Sequence, residues 1–191
     1  VPHQVMAPGS LRASMPFNIY ALPYERRAAA TPGDVLIIGA GSGSDVAEAL
    51  AHGATSVDAV DIDPRIMQIG VENNIDRPYQ DARVTRHIND GRAFLEGTDK
   101  TYDLILFALP DSLTLVNGAS QIRLESFLFT QESLQSVREH IQGARAGRQP
   151  EASMHRIERD GGKGPLSVAV SAQRSDTHQP AGASAAGIAV I

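Results

Sequence analysis

Gly39-Ala40-Gly41-Ser42-Gly43 and the carboxylates of Asp61, Asp90 and Asp111 are the residues whose types and spacing suit chemistry in this chain. The glycines let a backbone turn tightly and approach a ligand without Cβ clashes. Amides at the start of a following helix add hydrogen-bond donors. Asp61 follows the glycines by about 20 residues, the spacing of an acid that accepts bonds from ribose hydroxyls. A plain solvated carboxylate fits the same position. Asp90 and Gly91 suit an adenine site, with the carboxylate on the amino group and backbone amides facing the ring nitrogens. Asp90 equally suits the cap of a helix opening at Gly91, and both roles can coexist. Asp111 is the one acid of Ala108-Leu109-Pro110-Asp111-Ser112. It would face the reacting end of such a ligand, or simply form a turn.

These residues matter only if the surrounding elements hold them together. Short apolar runs at 35–38, 56–62, 82–88 and 102–109 read as strands. Helical patterns separate them. One covers 45–52, with Val46, Ala49 and Leu50 on one face. Another opens at Pro64 behind a cap at Asp63 and runs towards Asn73. A third covers 91–97. A last helix, capped by Thr130, carries Leu134, Val137 and Ile141. Strand and helix in alternation predict an α/β fold, a Rossmann-like doubly wound parallel sheet. Ligands of such sheets lie at the carboxyl ends of the strands. All four chemical stretches fall at those ends, one after each strand.

Composition narrows the ligand. The chain has 191 residues, is 42% hydrophobic, and carries a formal charge of −5. That acidity argues against nucleic acid as a partner, because phosphate binding needs clustered Lys and Arg. There is no cysteine, hence no disulfide frame, thiolate metal site or Cys nucleophile. His3, His52, His87 and His140 are isolated, and no metal is expected. A cytoplasmic location fits, with no signal peptide and no apolar run near the roughly 18–20 residues that span a bilayer. The chain opens at Val1 rather than Met and reads as a piece of a longer one.

The chain divides at 142. Before it there are 11 basic and 18 acidic residues; after it, 6 and 4. Every Phe and Tyr lies between Phe17 and Phe129. Residues 1–142 are expected to form the nucleoside-binding domain. Residues 143–191 are expected to be a mostly disordered or aberrant tail, since they offer little to offset ordering entropy. Their loss of aromatics resembles out-of-frame translation, and the sheet is expected to have an incomplete C-terminal edge. Within the tail only 166–170 and 187–191 suggest short strands.

The glycine spacing is GxGxG, whereas nicotinamide enzymes use GxGxxG, and no Tyr-Lys pair or placed His serves hydride transfer. A third acid at the third strand end is typical of S-adenosylmethionine sites. The ligand is therefore read as S-adenosylmethionine, its decarboxylated form, or a related adenosyl nucleoside.

The stretches "VLIIGAGSGSD", "VDAVDIDP", "RVTRHINDGRAFL" and "YDLILFALPDS" resemble the spermidine synthase (polyamine aminopropyltransferase) family, within the class I methyltransferase fold. The likeness is greatest to bacterial spermidine-synthase-like proteins, many of which join this domain to a membrane-spanning region. The resemblance implies a glycine loop of Gly39, Gly41 and Gly43 against the ligand. It implies Asp61 on the ribose, Asp90 and Gly91 at the adenine, Asp111 as the second acid of a "DSSDP"-like stretch, and Gln4 of "PHQ" near the reacting centre. It further implies a putrescine-like amine substrate, a homodimer, and residues 114–130, with Arg123 and Glu125, bordering the amine cleft. Two positions depart from the pattern. Ser42 stands where the family carries a loop acid for the amino group of decarboxylated S-adenosylmethionine, and Asp45 is placed to reach inward instead. Ala108 stands where the family carries the Asp that deprotonates the amine. Three readings stay open: an aminopropyltransferase, an S-adenosylmethionine-dependent methyltransferase, and a catalytically degenerate nucleoside-binding module.

Overall fold

The four apolar runs become four parallel strands. In a computed structural model, residues 6–15, 18, 20–25, 31–108 and 130–141 are described, with the backbone of strands at 153–156, 167–171 and 187–190. Strand β1 is Asp34–Ile38, β2 Ser56–Asp61, β3 Val84–Ile88 and β4 Leu104–Ala108. They lie in the order β3-β2-β1-β4. Val35 sits beside Val57 on one side and Leu104 on the other, and Ile38 beside Val60 and Phe107. Parallel pairing needs a crossover between consecutive strands, and helices supply it.

Helices α3 (Ser44–Ala51) and α4 (Pro64–Asn73) cover one face, where Val46, Ala49 and Met67 meet Val35, Ile37, Val57, Ala59, Leu104 and Leu106. Helices α5 (Gly91–Gly97) and α6 (Gln131–His140) cover the other, where Leu95, Val137 and Ile141 meet Leu36, Ile38, Val60, Ile105 and Phe107. Burial on both faces explains why β1 and β4 read as unbroken apolar runs rather than alternating ones.

The helix starts follow local chemistry. Asp63 accepts from the amides of Arg65 and Ile66 ahead of α4, with Pro64 in the first turn. Asp90 accepts from Arg92 and Ala93 ahead of α5, and Thr130 accepts from Ser133 ahead of α6. Two short N-terminal helices, α1 (Gly9–Ser14) and α2 (Leu22–Glu25), and a 3-10 turn at Pro78–Gln80 carry no comparable pattern in the sequence.

On the α5–α6 side, one buried carboxylate ties three segments. Asp58 of β2 accepts from Lys100 Nζ at 2.7 Å, His87 Nε2 at 2.9 Å and the Tyr102 hydroxyl at 3.0 Å. Burial works against its ionisation, but these bonds outweigh it and hold its carboxyl below the ordinary value.

The sheet continues beyond β4. Strands β5 (Ser153–Arg156), β6 (Ser167–Ser171) and β7 (Gly187–Val190) extend the order as β4-β6-β7-β5. β6 is antiparallel to β4, β7 antiparallel to β6, and β5 parallel to β7. The edge expected to be incomplete is filled at these positions. Backbone pairing needs no aromatic residue, and the outer edge of β4 offers a row of unpaired amides and carbonyls. Two of the strands match the Val- and Ile-bearing stretches expected to form them; "SMHR" of β5 gave no such signal. The rest of 143–191 lies outside the described residues.

Candidate functional site

The glycine turn sits at the carboxyl end of β1, where the strand order reverses between β2 and β4. Crevices that hold ligands open at such switch points. Gly39, Gly41 and Gly43 have φ of 82°, 52° and 89°, left-handed values that side-chain-bearing residues rarely adopt. The Gly39 and Ala40 amides both donate to the Val60 carbonyl, at 2.8 and 3.0 Å, stitching the turn to the end of β2.

Neighbours grip the turn closely. A Cβ on Gly43 would lie 2.9 Å from Pro78 Cγ and from Tyr79 Cε2. A Cβ on Gly70, in α4, would lie 2.6 Å from the Ser42 carbonyl oxygen. Asn74 Nδ2 donates to that oxygen at 2.9 Å, and the Tyr79 hydroxyl donates to the Gly41 carbonyl at 2.7 Å. Burial, and then the charges of Asp61 and Asp45, push the Tyr79 phenol well above its ordinary value. Tyr79 therefore stays protonated, and both carboxylates lie on its side of the turn.

Asp61 ends β2 and is buried. Its Oδ2 accepts from the Gly41 amide at 2.7 Å and its Oδ1 from the Asp63 amide at 2.8 Å. Burial nevertheless pushes its carboxyl above the ordinary value, against the amides of Asp63, Gly41 and Ile62. A carboxylate offers about four acceptor sites, so these donors do not fill it. Asp61 thus braces the glycine turn and has acceptor capacity to spare.

Asp45 lies in the first turn of α3 and is 9% exposed. No other described residue donates a hydrogen bond to its oxygens. Burial pushes its carboxyl up to about 7; its own amide and Arg12 oppose this, and Glu48 adds to it. The adjacent Ser44 hydroxyl is fully buried and has no partner among the described residues.

Arg12 of α1 is 2% exposed and ties the N-terminal segment to α3. Its Nε lies 3.1 Å from Glu48 Oε2, its Nη2 lies 3.1 Å from Asp76 Oδ2, and its Nη1 donates to the Ala7 carbonyl. Glu48 also accepts from Asn18 Nδ2 at 3.1 Å and lies 3.3 Å from His52 Nε2. Asp76 accepts from the Gly9 amide. Beside the turn, Glu48, Asp76 and Asp45 therefore share the Arg12 guanidinium.

The third strand end adjoins this group through the Asn89 amide, which donates to the Asp61 carbonyl at 3.0 Å. Asp90 follows directly. Its Oδ1 accepts from the Arg92 and Ala93 amides, both at 3.0 Å, and its Oδ2 makes no hydrogen bond among the described residues. The helix-cap role is thus observed, with one oxygen uncommitted. At the fourth strand end Ala108 is buried and closes β4 without an acid. Gln4, Asp111, Arg123 and Glu125 lie outside the described residues. Among the described residues, no group of three or more His, Asp or Glu side chains is placed to hold a metal ion.

Arg12, Ser44, Gly70, Asn74 and Tyr79 escaped the sequence reading. Only Tyr79 gave a usable signal, as a lone aromatic after a proline in a polar stretch.

Residues 19–151 match the family model of the spermine/spermidine synthase domain. The chain belongs to this family. Among spermidine synthase relatives, it is 33% identical over 117 residues to a polyamine aminopropyltransferase of Oceanobacillus iheyensis, a match covering 58% of this chain and 21% of that protein. It is 33% identical over 94 residues to polyamine aminopropyltransferase 2 of Pseudomonas aeruginosa, covering 47% of this chain and 26% of that one. The chain thus spans about a fifth to a quarter of the length of these curated relatives. Spermidine synthase from Thermotoga maritima superposes with a TM-score of 0.48 at 19% identity, covering 65% of this chain and 42% of that one. No helix among the described residues is long and apolar enough to cross a membrane.

Proposed function

We propose that this domain binds decarboxylated S-adenosylmethionine and serves transfer of its aminopropyl group to a putrescine-like amine. The observation that carries this is the braced turn: Asp61 holds the Gly41 amide while a second acid, Asp45, stands buried with its own amide as its one donor among the described residues. A site with surplus buried carboxylates calls for a cationic ligand, because a charge out of water needs a counter-charge. Family membership supports the choice of an adenosyl sulfonium nucleoside.

In this reading the spare acceptor capacity of Asp61 receives the ribose hydroxyls. Asp90 Oδ2 and the amides around Gly91 receive the adenine, while Oδ1 keeps its cap. Gly39, Gly41 and Gly43 let the backbone approach the nucleoside, and Asp45 faces its tail. The bound nucleoside supplies an activated carbon next to its sulfonium.

The protein must supply a nitrogen lone pair. An alkyl amine has a pKa around 10 and is protonated near neutral pH. A positioned carboxylate contributes roughly 10²–10⁴-fold to such a proton transfer. Ala108 cannot provide one, so this role falls to Asp111, with Gln4 helping to orient the amine. A second reading, methyl transfer from S-adenosylmethionine, is favoured by Ser42, since a turn without an acid repels the cofactor's own carboxylate less.

Calorimetric binding of methylthioadenosine, S-adenosylmethionine, decarboxylated S-adenosylmethionine and NAD separates these readings. Preference for the decarboxylated form, followed by turnover with putrescine, is the expected result. Preference for S-adenosylmethionine moves the assignment to methyl transfer. Binding without turnover of either kind makes the domain a nucleoside-binding module.

A further inference from the structure

We propose that Asp45 is a proton-exchanging receptor for the charged tail of the bound nucleoside, giving up a proton when a cationic ligand docks and keeping it when a neutral one does. This rests on the nucleoside reading above and adds to it a coupling between ligand charge and protonation.

Three observations place the exchange at Asp45. Its carboxyl is nine-tenths buried at the junction of the glycine turn and α3, where no other described residue donates to it. The fully buried Ser44 hydroxyl beside it also has no partner among the described residues, so the junction holds polar capacity that those residues do not satisfy. Buried polar groups are normally paired, and an orphan beside a buried acid leaves room for a polar group from a ligand or water.

The surrounding charges explain why a proton sits there in the free protein. From α1, Arg12 faces Asp45, but its guanidinium is already bonded to Glu48, Asp76 and the Ala7 carbonyl. From α3 itself, Glu48 repels the ionised form. From the 3-10 turn, Tyr79 is neutral and spends its hydroxyl hydrogen on Gly41; through it Asp45 shares surroundings with Asp61 of β2. One guanidinium engaged by two other carboxylates cannot neutralise a third. The cheapest way to hold Asp45 in the free site is as the neutral acid. A ligand cation supplies the missing counter-charge. The carboxyl O–H bond then breaks, the proton passes to buffer, and a carboxylate–cation pair replaces it.

Calorimetry in buffers of different ionisation heat counts that proton. The probes are decarboxylated S-adenosylmethionine, whose tail ammonium stays charged, and methylthioadenosine, which is neutral. With Asp45 titrating at about 7, the cationic probe is expected to release about half a proton at pH 7, and methylthioadenosine none. Affinity for the cationic probe is expected to rise about tenfold from pH 6 to pH 8, with that for methylthioadenosine flat. Asp45→Asn, near-isosteric, is expected to abolish the release and flatten the first profile while still binding methylthioadenosine. If the variant fails to fold, the comparison of the two probes on the wild-type protein decides alone. Equal proton counts for the two probes, or an unchanged count in Asp45→Asn, overturn the proposal while leaving the nucleoside reading standing. Failure of both probes to bind wild-type protein overturns that reading and this proposal with it.

Discussion

Asp61 has two jobs that a single substitution can separate. Its carboxylate pairs with the buried Gly41 amide and with the Asp63 amide. Asp61→Ala strands the Gly41 donor, and an unpaired buried donor costs about 1–3 kcal/mol. Asp61→Asn keeps one acceptor oxygen and is expected to lose less stability than Ala. Both variants are expected to lose methylthioadenosine binding, because neither offers two acceptors to a pair of hydroxyls. Urea denaturation beside calorimetry checks this. An Asp61→Ala protein as stable as wild type would show that the brace carries no weight.

At the scale of elements, the glycines of α4 and α5 make a controlled contrast. Replacing a helical glycine by alanine gains up to about 1 kcal/mol in helix propensity. At Gly97 a new Cβ meets nothing within 4 Å, so Gly97→Ala is expected to leave stability unchanged or slightly raised. At Gly70 the new Cβ would press on the Ser42 backbone at 2.6 Å. Overpacking costs about 1–3 kcal/mol, and backbone yields less readily than a side chain. Gly70→Ala is therefore expected to be destabilising and to displace the turn, weakening nucleoside binding by more than tenfold. Thermal melts of the two variants, with methylthioadenosine titrations, test it; equal melting temperatures would show that α4 does not fix the turn. The same contrast explains what was legible beforehand. Strands β1 to β4 and helices α3 to α6 announce themselves by apolar runs, periodicity and caps such as Asp63 and Thr130. These are local signals, and they place Gly39, Gly41, Gly43, Asp61 and Asp90 at successive strand ends. The grip on the turn is not local. Arg12 reaches Glu48 and Asp76, Tyr79 reaches Gly41, and Gly70 touches Ser42 across 28–64 positions of chain, so no window of sequence contains both partners. Strand β5 is illegible for another reason, since Ser153-Met154-His155-Arg156 holds no apolar run.

Across the whole molecule, two buried acids on opposite faces of the sheet give stability opposite dependences on pH. Asp58 is held below its ordinary value by Lys100, His87 and Tyr102. The unfolded state binds its proton more readily than the folded one, so its stabilisation is present above the unfolded value and is lost as pH falls through the folded one. Asp45 has the reverse sign. Its carboxyl is raised from 3.8 to about 7, so between those values the folded protein holds a proton that the unfolded chain has released. Its contribution is therefore greatest below pH 4, declines as pH rises, and is constant above about 7. Asp45→Asn cannot titrate there and retains the neutral shape. The variant is expected to match wild type in acid, to become the more stable of the two as pH rises from 4 to 7, and to keep that lead at pH 8. Asp58→Asn is expected to lose about 2 kcal/mol at pH 7, as a buried charge-assisted bond is weakened, with the deficit shrinking in acid. Urea midpoints of the three proteins at unit pH steps from 4 to 8 read both effects. Parallel profiles for wild type and Asp45→Asn would mean that Asp45 is ionised in the free protein, and that the glycine turn needs no ligand cation to balance it.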